Sequence, residues 1–299
     1  MVLSAPAKVN LTLEVTGRRA DGYHEIATVF QCVDLCDRLV LEDAATLSLE
    51  STSPDVPVDE RNLALRAAQL LREAARIDRG VHVRLDKRIP VGAGLGGGSS
   101  DAAAALLGLD RLWRLRWAPE RLAEVAVQLG MDVPFFLGSG RAIGTGRGEQ
   151  LERLPSGGGY ALVLINPGFG LSTREVYGRV IPTVYSDGGR VPAMREALRR
   201  RNTRLVAANL YNGLEAVVGP ADPIRRMKAA LMSAGALGAA MSGSGPTVFG
   251  VARSLDHARQ IRTRVTRGSW SCWSVRTLSG PAIRIREWTG SAGRAGTSG

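Results

Sequence analysis

The chain has 299 residues, 44% of them apolar and 22% charged, enough for a large core and for two lobes rather than one. No run approaches the ~20 apolar residues of a membrane-spanning helix, and the first residues lead into a patterned strand rather than a secretory signal. The formal charge of +11 raises nucleic acid as a partner, yet only Lys8, Lys87 and Lys228 of the 39 basic residues are lysine. The arginines are interleaved with acids through the first two thirds. That distribution reads as a solvated surface, and as an attraction for small polyanions such as nucleotides.

Three cysteines (Cys32, Cys36, Cys272), odd in number and without zinc-ligand spacing, fit a reduced, cytoplasmic setting. No protein-built metal site is expected from the sequence. In chain order, Val9, Leu11, Leu13 and Val15 alternate with Lys8, Asn10, Thr12 and Glu14, the period of a half-buried strand with one polar face. Asp21-Gly22 marks a turn and residues 25–35 a returning strand. Residues 62–76 carry a helical apolar stripe, and Val81, Val83 and Leu85 form a strand that Pro90 ends. A glycine-rich loop follows, then helices over 100–115 and 119–129, the second opened by Pro119 and stopped by Gly130.

Ser156-Gly-Gly-Gly159 is the candidate boundary between a first lobe over 1–155 and a second over 160–285. Beyond it the pattern gives a strand at 160–165, helices near 192–202 and 222–234, and a strand near 247–252. A helix over 255–266 and a strand near 273–278 complete it. Residues 286–299, rich in Gly, Ser and Ala, are expected to be a disordered tail. Strands and helices mix without regular βαβ alternation, so the fold class is α+β.

The strongest chemical signal is Pro90-Val-Gly-Ala-Gly-Leu-Gly-Gly-Gly-Ser-Ser-Asp101, running straight into a helix. Glycines free of Cβ atoms let backbone N–H groups approach phosphate oxygens, and the helix start adds unpaired N–H groups and its positive dipole end. Gly92, Gly94, Gly96, Gly97 and Gly98, with Leu95, Ser99 and Ser100, are therefore the candidate phosphate cradle. The loop formally contains GxGxxG, but the strand before it alternates and Pro90 intervenes, which disfavours a dinucleotide fold. No GxxxxGK[ST] and no HRD or DFG signature occurs.

Three segments in this order resemble the GHMP small-molecule kinases: Ala5-Pro-Ala-Lys-Val-Asn-Leu11, the glycine loop, and Met241-Ser-Gly-Ser-Gly-Pro-Thr-Val-Phe249. The resemblance implies a two-lobed α+β fold, with an N-terminal ribosomal-protein-S5-like lobe and a C-terminal ferredoxin-like lobe. It also implies ATP with Mg²⁺, and a small-molecule acceptor held in the cleft between the lobes. Lys8 and Asp132 match the family's catalytic pair: a carboxylate takes the proton of an alcohol and a lysine balances the charge. Met131, Val133, Phe135 and Phe136 around Asp132 suggest a partly desolvated acid. Gly17-Arg-Arg-Ala-Asp-Gly-Tyr-His-Glu25 and Gly130-Met-Asp-Val-Pro-Phe-Phe136 resemble the branch whose acceptor carries a cytidine diphosphate.

There Tyr23, His24 and Tyr177 would hold the cytosine, Asn10 and Thr173 the rest of the acceptor, and Asn62 and Lys87 the adenosine side. Asp101 reads equally as a magnesium-assisting group or a helix N-terminal charge. Homoserine- or mevalonate-type members of the family are the alternative, with a basic nucleic-acid-binding protein behind them. Oligomeric state stays open between monomer and homodimer.

Overall fold

The structure, a computed structural model, describes residues 1–155, 159–218, 223–266 and 269–287. Its organising element is the hairpin of β1 (Val2–Arg18) and β2 (His24–Ala44), paired antiparallel from Val2↔Val40 to Arg18↔His24. The turn closes as the Asp21 carboxylate accepts the Tyr23 N–H at 3.1 Å. β3 (Leu47–Ser51) and β4 (Gly80–Asp86) extend the sheet on one side of β2, and β5 (Arg141–Thr145) with β6 (Gln150–Arg153) extends it further along the strand.

Helices α1 (Leu63–Ala75), α2 (Gly97–Leu112), α3 (Pro119–Leu129) and α4 (Val133–Phe136) pack together, and α2 lies on β1 and β2. α1 starts where the Asn62 side chain accepts the Ala64 N–H at 2.9 Å, and it buries Ala64, Ala67, Ala68 and Leu71 as its 3.6-residue stripe requires. In α2 the run Ala102–Ala105 is wholly buried, small side chains letting the helix lie close to its neighbours.

The second sheet takes β7 (Ala161–Asn166), β9 (Ala239–Met241), β10 (Val248–Ala252) and β11 (Ser271–Arg276) in the order β11-β7-β10-β9. With α8 (Pro223–Ser233) and α9 (Leu255–Val265) as its crossovers, this is the βαββαβ arrangement of ferredoxin-like sheets. β7 is apolar throughout because both faces are covered. Leu162 and Leu164 join Val9 and Leu11 of β1, while Val163 and Ile165 join Met227 and Ile261 of the two helices. Between β7 and α8 come α5 (Thr173–Gly178), α6 (Arg190–Arg199), α7 (Thr203–Ala208) and the short β8 (Tyr211–Asn212).

The fold is α+β as expected. Three readings change. The polar face of β1 is not solvated: Lys8, Asn10, Thr12 and Glu14 are all buried. The second lobe covers that face, and Glu14 accepts the Ser186 hydroxyl and the Arg190 and Val191 N–H groups at the start of α6. The chain also crosses back. β8 and the last strand, β12 (Arg284–Arg286), both pair with β1, so residues 284–286 belong to the first sheet. Arg286, assigned by composition to the tail, stands opposite Val2; residues 288–299 and 156–158 of the proposed boundary lie outside the described residues. Among the described residues no helix is long and apolar enough to cross a membrane.

Candidate active site

A cleft of about 1050 Å³ opens along the buried polar face of β1 and gathers the glycine loop, α5 and the 243–244 loop around Lys8. The glycine loop is bound to the protein by its carbonyls. Gly92 O accepts from Leu171 N–H, Ala93 O from Thr247 N–H, Gly94 O from the Ser242 hydroxyl, Leu95 O from Lys8 N–H and Gly96 O from Ser100 N–H. That last bond is the first of α2, so the amides of Gly97, Gly98 and Ser99 have no partner within the helix, and no side chain caps it. Such an end is built to take an anion.

Glycine is required at Gly94, where φ is +75° and a Cβ would stand 2.2 Å from Ser242 O, and at Gly96, where φ is +68° and it would press on Lys8 and Phe136 at 3.1 Å. The residues present therefore fit a phosphate-bearing anion. Two members of the expected cradle contribute differently. Leu95 and Ser100 do not line the cleft, being buried as anchors beneath the loop.

Lys8 Nζ lies 3.3 Å from Asp132 Oδ2 and donates to Asn10 Oδ1 at 2.8 Å. Asn10 donates in turn to Thr28 Oγ1 at 2.8 Å, which fixes its amide and leaves the ammonium aimed at the carboxylate. Asp132 sits in the turn that follows α3, closed by the bond from Val133 N–H to Gly130 O at 3.1 Å. Val133, Phe135 and Phe136 turn into the core, whereas the Asp132 side chain stays 32% exposed to the cleft. The apolar neighbours hold the acid in place without closing over it.

At one end of the cleft the His24 ring packs on Tyr177 with centroids 5.6 Å apart and on Tyr185 at 6.4 Å. His24 Nε2 is buried without a partner, and burial, reinforced by Arg18, lowers the ring's pKa so that it is neutral at neutral pH. Tyr23 is exposed with the Arg147 guanidinium 5.1 Å over its ring. Burial, with Asp132 nearby, raises the Tyr177 phenol well above its ordinary value. Thr173 Oγ1 is hydrogen-bonded to Ser244 Oγ at 2.9 Å, joining α5 to the third motif.

The two adenosine-side residues are otherwise engaged. Both polar atoms of the Asn62 amide are in use, Oδ1 on Ala64 N–H and Nδ2 on Pro57 O. Lys87 Nζ sits between Asp37 Oδ2 at 2.5 Å and Asp101 Oδ2 at 2.7 Å. Asp37, Arg147, Tyr185 and Ser244 were not singled out by sequence reasoning. Ser244 lies inside the third motif and could have been; Asp37 has no local signal. Among the described residues no three His, Cys, Asp or Glu side chains cluster as a metal cage.

A cleft between two α+β lobes, with an anion-binding loop and a lysine–carboxylate pair beside it, describes a small-molecule kinase. The family profiles agree: the GHMP kinases N terminal domain matches residues 62–140 and the GHMP kinases C terminal domain residues 194–271. The chain belongs to the GHMP kinase family. Among its relatives, the 4-diphosphocytidyl-2-C-methyl-D-erythritol kinase of Pelotomaculum thermopropionicum is 46% identical over 92% of this chain and 97% of its own length. That of Symbiobacterium thermophilum is 46% identical over 93% of this chain and its full length. A crystal structure of 4-(cytidine 5'-diphospho)-2C-methyl-D-erythritol kinase superposes with a TM-score of 0.81 at 39% identity, covering 94% of this chain and all of that one. A homoserine kinase from Cytophaga hutchinsonii, at TM-score 0.74 and 20% identity over 95% of this chain and 96% of its own, shares the fold.

Proposed function

We propose that this chain transfers the γ-phosphoryl group of MgATP to the 2-hydroxyl of 4-diphosphocytidyl-2-C-methyl-D-erythritol, a step of non-mevalonate isoprenoid synthesis. The observation that carries the reading is one cleft holding three things: the anion-binding loop, the Lys8–Asp132 pair, and a ring cluster with an unpartnered imidazole nitrogen. The triphosphate lies on the amides of Gly97, Gly98 and Ser99. The cytosine lies against Tyr23 and Tyr177, with its edge on His24. The acceptors of homoserine and mevalonate kinases have no base to fill that end. Asn10 and Thr173 orient the acceptor, the first through its fixed amide.

In the transfer, Asp132 takes the proton of the acceptor hydroxyl while that oxygen forms its bond to the γ-phosphorus. The bond from the γ-phosphorus to the bridging oxygen breaks and ADP leaves. Lys8 holds the carboxylate and offsets charge on the phosphoryl oxygens. We place the enzyme in the cytoplasm as a monomer or homodimer, with a first lobe over 1–155 that residues 284–286 rejoin and a second lobe running from 160 to the return of the chain. Asp132→Asn keeps the shape and removes the proton acceptor. A fall in kcat of about 10²–10⁴-fold with both dissociation constants kept is expected. Normal turnover would show that the wrong acid has been named.

A further inference from the structure

Lys87, Asp37 and Asp101 form a buried group under the phosphate loop that the reaction above does not use. Their side chains are 6%, 0% and 4% exposed. Asp37 is fully employed: besides Lys87, its Oδ1 accepts the N–H groups of Arg88 at 2.6 Å and Ile89 at 2.8 Å. Those two residues lead directly into Pro90 and the loop, so the Asp37 carboxylate clamps the loop's entry. Asp101, in the second turn of α2, is bound only through Oδ2, and its Oδ1 is buried without a partner. The ammonium they share lies against the loop itself, 2.9 Å from where a Cβ on Gly97 would stand.

Two carboxylates and one ammonium leave a net negative charge beneath the site where a polyanion settles. That charge opposes the nucleotide, and a buried carboxylate with one oxygen unsatisfied is the member that gives way. We propose that Asp37, Lys87 and Asp101 are one positioning network for the nucleotide, in which Asp101 takes up a proton as the triphosphate seats on the loop. The proposal rests on the reading of Gly92–Ser99 as the phosphate cradle. The oxygens of Asp37 already hold three donors.

Burial raises the Asp101 carboxyl to about 7; Lys87 opposes that shift and Asp37 adds to it. Lys87 is lowered by burial, but the two carboxylates outweigh this and its pKa ends raised. The groups facing the first turns of α2 are Asp37 from β2, Lys87 after β4, the uncharged Leu63 of α1, the apolar α4, and Lys8 of β1 at Gly96. Asp101 is the member of this group with a buried carboxylate oxygen that lacks a partner. By linkage, added negative charge on the loop raises Asp101 further, so binding draws a proton from solvent and weakens as pH rises through 7.

The test is calorimetric titration of the whole protein with MgADP at pH 7.5, in buffers of different ionisation enthalpy. At that pH the nucleotide itself is deprotonated. The expected result is uptake of up to about half a proton per nucleotide bound by the wild type. Asp101→Asn is expected to take up none, and to lose the roughly threefold or greater weakening of affinity from pH 6.5 to 8 seen in the wild type. Wild-type binding without proton uptake would overturn the network's role and leave the cradle reading intact. A slope kept in Asp101→Asn would likewise overturn it. No nucleotide binding at all would overturn the cradle reading and this inference with it. The wild-type proton count decides the matter even if the variant does not fold.

Discussion

Gly94→Ala puts the phosphate-loop geometry to a quantitative test. The backbone there has φ of +75°, which costs an L-residue about 1–2 kcal/mol. A Cβ would stand 2.2 Å from Ser242 O and 2.9 Å from both N and O of Gly245, all of them backbone atoms that no rotamer change can move. The two loops would have to part, at a further cost of about 1–3 kcal/mol, and the bond from the Ser242 hydroxyl to Gly94 O at 3.0 Å goes with them. The sum is about 2–5 kcal/mol of lost stability, or a fall in Tm of about 2 °C for each kcal/mol in a chain of this size. For the melt Gly98→Ala is the matched control, because its Cβ would meet only Leu63 Cδ1 at an ordinary 3.6 Å. Thermal melts of both variants and an MgADP titration of Gly94→Ala form the assay. Nucleotide binding is expected to fail in Gly94→Ala while its secondary structure persists below the melt. A Gly94→Ala protein with wild-type Tm and affinity would refute the packing argument.

Two further outcomes follow from the ring cluster. His24→Ala is expected to raise the acceptor KM about tenfold or more, the equivalent of about 1–3 kcal/mol for a lost base contact, with the KM for ATP unmoved; equal damage to both substrates would point to misfolding. The His24 pKa is lowered by burial and Arg18, so recognition that needs the neutral ring persists at neutral pH and is lost only in acid. The acceptor KM is accordingly expected to rise only in acid, below the ordinary histidine value of about 6.5, and His24→Gln to flatten that rise.

Much of this site was legible in the sequence because it is local. Three glycines of the loop adopt positive φ, and the loop runs straight into a helix, as its composition and order lead one to expect. Asn62 sits at the start of an apolar stripe and caps α1 where the periodicity places it. What was not legible is non-local. The alternation in β1 gives a polar face, but distant segments bury it, the glycine loop over Lys8 and the second lobe over Glu14, and nothing in residues 8–15 announces either. Asp37 is an ordinary acid within a strand until β4 and α2 bring Lys87 and Asp101 to it. The ammonium of Lys87, matched to the adenosine side by resemblance alone, is held by those two carboxylates. Strand β12 is three residues long and its partner lies at the other end of the chain, so neither period nor turn chemistry marks it.

The central claim is a phosphoryl transfer selected by a base. Its most direct test incubates the protein with ATP labelled at the γ-phosphate, Mg²⁺ and a panel of alcohols: 4-diphosphocytidyl-2-C-methyl-D-erythritol, the same polyol phosphate without its cytidine, homoserine and mevalonate. The account predicts label on the 2-hydroxyl of the cytidine-bearing acceptor, with kcat/KM lower by about tenfold or more for every acceptor lacking the base. Equal labelling of the decytidylated polyol, or faster labelling of homoserine or mevalonate, would contradict it.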